Sequence, residues 1–98
     1  MIYLIFYDIS SDQIRTKVAK RLIAAGYERL QLSVYAGPMN PRQDKLLWRQ
    51  LQQWVLTEKT AKFYVLRVGA EQFKNIVAIG KIPFDILYLL GEKSCIFI

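Results

Sequence analysis

Asp8 is the most informatively placed acid in this sequence. It follows directly on the apolar run 2–7 and precedes Ser10, Ser11 and Asp12, residue types that start helices. A carboxylate at such a junction sits at the end of a strand. It either caps the following helix or loop, or holds Mg²⁺ or Mn²⁺ while phosphate oxygens and waters complete the octahedron. One carboxylate alone makes a poor magnesium site. Asp12 is the nearby acid that could join it, and a two-fold axis near the strand end would bring a second Asp8 instead. Two like carboxylates at close range repel, and a bridging cation removes that repulsion.

Arg15, Lys17, Lys20, Arg21 and Arg29 form a second constellation. Arg15 and Lys17 fall early on the helix after Asp8, within reach of a phosphate near a metal. Arginine suits bidentate phosphate binding and lysine acts as a point charge. Lys20 and Arg21 read as a solvated helix face. The chain has no histidine, which excludes a Ser-His-Asp or Cys-His triad, imidazole ligands and an imidazole proton shuttle. Ser10 and Ser33 therefore lack an activating base. Cys95 is the single cysteine, so an internal disulfide, a Cys-x-x-Cys pair and a Cys₄ zinc site are excluded as well.

Fourteen Lys and Arg against eight Asp and Glu give a net charge of +6, which favours a polyanionic partner, nucleic acid ahead of an acidic membrane surface. The apolar run 2–7 has no basic flank and stops at Asp8, too short for a signal peptide or a membrane span. The expectation is a soluble cytoplasmic protein. Its 98 residues, 53% of them hydrophobic, are enough for one domain with one core.

The elements that must position these residues follow from pattern. Residues 1–7 read as a buried strand. Ser10, Ser11 or Asp12 caps a helix running to about Ala25, with Ile14, Val18, Leu22 and Ile23 as its apolar stripe and Gly26 at its stop. Residues 28–36 alternate strictly, with Leu30, Leu32, Val34 and Ala36 on one side and Arg29, Gln31, Ser33 and Tyr35 on the other. That is a strand with one face free for a partner. Asn40-Pro41 starts a second helix with Gln43 in a capping box, and Leu47, Leu51, Trp54 and Val55 form its stripe. Trp48 and Trp54 read as core. Residues 61–68 form a strand, 69–74 a turn or short helix, and 75–79 a further strand. Residues 85–90 suit a helical turn, and the apolar 94–98 suits an edge strand, paired within its chain or with a second copy.

This order predicts an α+β ferredoxin-like sandwich, with two helices on one face of an antiparallel sheet. That layout needs a hairpin between the helices, and residues 28–36 contain no turn residue. Either the segment kinks into two short strands or the late strands supply the count.

Tyr-Asp-Ile-Ser at 7–10, Arg15, Gly-Tyr-Glu-Arg-Leu-Gln-Leu-Ser-Val-Tyr at 26–35 and Gly37 form a recognisable series. Gln72-Phe73, Ile79-Gly80 and the closing Ile-Phe-Ile at 96–98 extend it over nearly the whole chain. The series resembles the small, non-integrase subunit of CRISPR spacer acquisition, the CRISPR-associated "Cas two" family. The resemblance implies a ferredoxin-like homodimer in which the C-terminal extension, from about residue 82, exchanges a strand. It implies a metal-dependent nuclease acting on single-stranded RNA or double-stranded DNA, and a central dimer that serves the integrase subunit in holding DNA. The family's metal-binding aspartate corresponds to Asp8 and its catalytic neighbours to Tyr7, Arg15 and Arg29. Lys17 stands where some members have arginine, and Tyr35 where phenylalanine is frequent. Arg15, Lys17, Arg29 and Tyr35 are the implied nucleic-acid contacts, and Mg²⁺, alternatively Mn²⁺, the implied cofactor. The alternatives are a non-catalytic DNA-binding adaptor of the integrase and a related toxin-type ribonuclease.

Overall fold

The computed structural model describes residues 1–80, so the expected helical turn at 85–90 and the exchange strand at 94–98 lie outside the described residues. Four strands, β1 (Ile2–Asp8), β2 (Glu28–Gln31), β3 (Val34–Gly37) and β4 (Lys62–Val68), form one sheet in the order β2-β3-β1-β4. All neighbours are antiparallel. Helix α1 (Asp12–Ala24) follows β1, α2 (Lys45–Val55) follows β3, and a short α3 (Ala70–Lys74) follows β4. This is the expected ferredoxin-like α+β sandwich.

Strand alternation divides the apolar residues between two faces. Ile5 and Tyr7 of β1 and Tyr35 of β3 pack with Val18 and Leu22 of α1 and Leu47 and Leu51 of α2. Trp48 and Trp54 lie against that core, as expected. Ile2 and Ala36 face the other way and are covered by Phe73 of α3. Beyond Phe73 the second face is open among the described residues. Phe6 and Tyr64 stack there with centroids 5.0 Å apart, and with Leu66 they are 36%, 47% and 50% exposed.

Local chemistry sets the ends of α1. Ser11 is its N-cap, its hydroxyl accepting the Ile14 N–H at 3.3 Å. At the other end Gly26, with φ +98°, lets the chain turn back. The Gly26 N–H donates to Ile23 O at 3.0 Å and the Tyr27 N–H to Leu22 O at 3.1 Å. This is a Schellman closure, with Tyr27 and Leu22 in contact in the core.

The second helix corrects the sequence reading. Asn40 caps only a 3₁₀ turn at Pro41–Gln43, and Asp44 caps α2 by accepting the Leu47 N–H at 3.1 Å. Gln43 takes no part in that cap. A second correction concerns residues 75–79, which form no strand. The Asn75 and Ile76 N–H groups turn back onto the carbonyls of α3, so they do not enter a ladder.

The open question at 28–36 resolves into two strands joined by a tight turn at Leu32 and Ser33. Pairing runs Glu28↔Ala36, Arg29↔Tyr35 and Gln31↔Val34, with a bulge between Arg29 and Gln31. No non-glycine residue among the described residues has positive φ. The turn therefore does not use the left-handed conformations that call for Asn or Gly, and the bulge takes up the twist.

Leu22 is fully buried between sheet and helices. Leu22→Ala should cost about 2–5 kcal/mol. Leu46→Ala, at a 60% exposed position, should stay within about 0.5 kcal/mol. Urea unfolding of the two variants checks the assignment.

Candidate active site

The C-terminal end of β1, one side of α1 from Arg15 to Ile23 and the β2–β3 hairpin line a cleft of about 660 Å³. Tyr7, Asp8, Arg15 and Arg29 all line it, so four of the expected site residues meet in one place. Lys20, Ile23, Leu32 and Ser33 complete much of the wall.

Asp8 is exposed at the end of β1, with Lys62 opposite it on β4. Alternation places it on the same sheet face as Phe6, so it stands at the rim between the cleft and the open apolar face. Among the described residues no three His, Cys, Asp or Glu side chains cluster to hold a metal ion. Among the described residues, Asp8 is the one carboxylate that lines the cleft. The cation's fit depends on a second carboxylate, which a second copy meeting the open face at Asp8 would supply.

Tyr7 is held in an aromatic layer under the helices. Its ring stacks on Phe63 at 6.0 Å and on Tyr35 at 6.1 Å, with interplanar angles of 3° and 21°. Burial above all, and then the neighbouring Tyr35 hydroxyl, raise the Tyr7 phenol far above its usual pKa. Tyr7 stays protonated at physiological pH. It can donate a hydrogen bond but is no general base.

Arg29 is aimed by its own hairpin. Its Nη2 donates to Leu32 O at 3.4 Å, and its guanidinium carbon lies 5.8 Å from the centre of the Tyr35 ring. Arg15 is engaged within the chain. Its Nη1 donates to the carbonyls of Ile9 at 2.9 Å and Ser10 at 3.0 Å, and its Nη2 pairs with Asp12.

Two expectations are corrected. Tyr35 is 0% exposed and its ring belongs to the core, so it presents no surface to a nucleic acid. The bulge and turn put it on the helix side of the sheet. Lys17, expected within reach of the site, is exposed but lies outside the cleft; Lys20 is exposed, as expected, and also lines the cleft. Arg21 instead donates across the helices to Gln50 at 2.7 Å.

Sequence reasoning missed Glu58, in the loop after α2. Its carboxylate accepts the N–H groups of Ser10 at 3.0 Å and Ser11 at 2.8 Å. No local motif announces a contact 48 residues away. These bonds, Ser10's first and Ser11's next, hold the Glu58 carboxyl below the usual glutamate range. Thr60 and Arg15 add to the effect and partial desolvation opposes it.

A family model described as CRISPR associated protein Cas2 matches residues 1–76. The chain belongs to the Cas2 family. It is 34% identical over 83 residues to a CRISPR-associated endoribonuclease Cas2 of Pyrobaculum aerophilum, covering 85% of this chain and 90% of the relative. A CRISPR-associated endoribonuclease Cas2 of Archaeoglobus fulgidus is 35% identical over 65 residues, 66% of this chain and 69% of that one. Among solved structures, Streptococcus pyogenes Cas2 has the same fold, with a TM-score of 0.64 at 23% identity, covering 82% of this chain and all of the other. A hypothetical protein of Thermus thermophilus matches with a TM-score of 0.64 at 27% identity, covering 85% and 94%. No helix among the described residues is long and apolar enough to cross a membrane.

Among the described residues the buried Tyr35 hydroxyl, beside the Tyr7 phenol, makes no hydrogen bond of good geometry, whereas the Tyr27 hydroxyl donates to Met39 O at 2.7 Å. Tyr35→Phe should be neutral or slightly stabilising, and Tyr27→Phe should cost about 1 kcal/mol. Urea unfolding of both variants decides, and a larger loss for Tyr35→Phe would mean its hydroxyl is partnered.

The Glu58 carboxyl also makes a pH prediction. Because its folded pKa is depressed, its contribution is full above the ordinary glutamate value and disappears as pH falls through the folded value. Unfolding measured from neutral to acid pH should show less acid sensitivity in Glu58→Gln than in wild type.

Proposed function

We propose that this Cas2 chain acts in CRISPR adaptation as a homodimer that binds nucleic acid and hydrolyses phosphodiester bonds with Mg²⁺ or Mn²⁺. The carrying observation is the position of Asp8, at the rim between a cleft bearing Arg15, Lys20 and Arg29 and an apolar face that is open among the described residues. A second copy on that face would cover Phe6, Tyr64 and Leu66 and bring the two Asp8 carboxylates together. The relatives named as endoribonucleases support cleavage of RNA, and single-stranded RNA and duplex DNA are the substrates to test.

The chain's own residues divide the work. The paired Asp8 carboxylates would hold the divalent cation, which when bound supplies a water of lowered pKa and charge for the developing phosphorane. Arg29, fixed over Tyr35, neutralises the phosphate and orients it. Lys20 adds a point charge on the opposite wall. Tyr7 donates a hydrogen bond from a phenol that keeps its proton.

One observation favours a second reading, a non-catalytic adaptor that holds DNA for the integrase subunit. The Arg15 guanidinium is satisfied within its own chain, and among the described residues Asp8 is the one carboxylate lining the cleft. The two readings share fold, dimer and charge, and they differ in what Asp8 does.

The test compares wild type with Asp8→Asn on single-stranded RNA and duplex DNA, with Mg²⁺ and with Mn²⁺. Cleavage should fall by roughly 100-fold or more, while stability changes by less than about 0.5 kcal/mol. Undiminished cleavage by folded Asp8→Asn would remove Asp8 from catalysis. An inactive wild type that binds DNA would leave the adaptor. Arg29→Ala should weaken duplex binding and lower the slope of log K against log salt by about one. Light scattering should give the mass of two chains.

A further inference from the structure

The loop 9–11 joins β1 to α1, and the Ser10 and Ser11 N–H groups and the Ile9 and Ser10 carbonyls fall outside both the sheet ladder and the helix. Charged side chains satisfy them from two sides. Arg15 takes the Ile9 and Ser10 carbonyls, and Glu58 takes the Ser10 and Ser11 N–H groups, one on each carboxylate oxygen. Thr60 steadies Glu58 by donating to Oε2 at 3.4 Å. Ile9 is buried between these contacts and anchors the loop in the core. Glu58 itself does not line the cleft.

From this arrangement we infer that Glu58 is a positioning residue for the Asp8 cation site, fixing loop 9–11 from outside the cleft. The inference rests on the reading of Asp8 as the metal-holding carboxylate. Asp8 is the last residue of β1, and the backbone direction just past it is set by the peptides that Glu58 grips. The other face of those peptides is gripped by Arg15, which lines the cleft, so a loosened loop also frees that guanidinium. Two charge-assisted bonds from a segment 47 and 48 residues away confine the loop more tightly than its own short span could. Without Glu58, the N–H groups of Ser10 and Ser11 turn to water and the carboxylate loses its fixed direction. The expected loss in cation affinity is about tenfold, the low end for removal of an outer-shell partner.

The test titrates Mn²⁺, followed by water-proton relaxation, into wild type, Glu58→Ala, Glu58→Gln, Asp8→Asn and the Asp8→Asn/Glu58→Ala double variant. Thermal unfolding is recorded for each. The titration is run at high salt, where the loss of a distant charge is screened and the loss of positioning is not. Glu58→Ala should weaken Mn²⁺ binding about tenfold, and it should add nothing once Asp8 is Asn. Wild-type Mn²⁺ affinity in folded Glu58→Ala, even with a lowered Tm, would overturn the inference and leave Glu58 a staple between two loops. If Glu58→Ala does not fold, Glu58→Gln decides. It keeps the length and one acceptor oxygen, so an intermediate loss supports the inference and unchanged affinity overturns it. Wild-type affinity in Asp8→Asn would instead show that Asp8 is not the cation's ligand, and the inference would fall with that reading.

Discussion

The register of β1, an interior strand of the sheet, decides which side chains reach the helices and which reach the other face. Tyr7 sits between Tyr35 of β3 and Phe63 of β4, and the three rings form one layer under the helices. Trp48 of α2 closes that layer edge-on against Phe63 at 6.1 Å. A slip of one residue in β1 would turn Tyr7 out to solvent and carry Asp8 beneath the helices, where a carboxylate has no partner. The aromatic layer therefore does two things at once. It holds the Tyr7 ring where the cleft meets the core, and it commits Asp8 to the opposite sheet face.

Charge is distributed so that the cations of the cleft are not equivalent. Arg15 spends its hydrogen bonds on the loop that carries the chain from β1 into α1, so it shapes the site more than it offers itself to a ligand. Arg29 makes one long bond to its hairpin and lies over an aromatic face, which leaves most of its fork directed at the cleft. At the start of α1, Ser11 and Glu58 already occupy N–H groups that would otherwise attract an anion. Ser11, Asp12 and Gln13 do not line the cleft, so a phosphate entering it meets Arg29 and Lys20, not the helix terminus.

Much of this was legible in the sequence, for identifiable reasons. Apolar periodicity gave both long helices, and Gly26 marked the end of the first because only a left-handed turn closes it. Asp8 stood out because an acid directly after a buried strand is conspicuous. Tyr35 misled because strict alternation across 28–36 assumes an unbroken strand, and the bulge and the Leu32–Ser33 turn shift the phase. The start of α2 was misplaced because Asn40-Pro41 imitates a helix start, while Asp44 supplies the bond that starts it. Glu58 could not be found at all from local spacing, since its partners lie on the far side of two helices and two strands in the chain. The fold followed from short-range rules, and the brace behind the site did not.

Because Leu32 and Ser33 turn the chain without positive φ, no glycine or asparagine is obligatory there. Leu32 is 77% exposed and forms part of the cleft's outer lip, while the Ser33 backbone carbonyl, which no side chain alters, accepts the Tyr7 N–H at 3.2 Å. The lip can therefore exchange side chains across evolution at little cost to the backbone path. Diversification of what the cleft admits has a ready place to occur, separate from the residues that hold its floor.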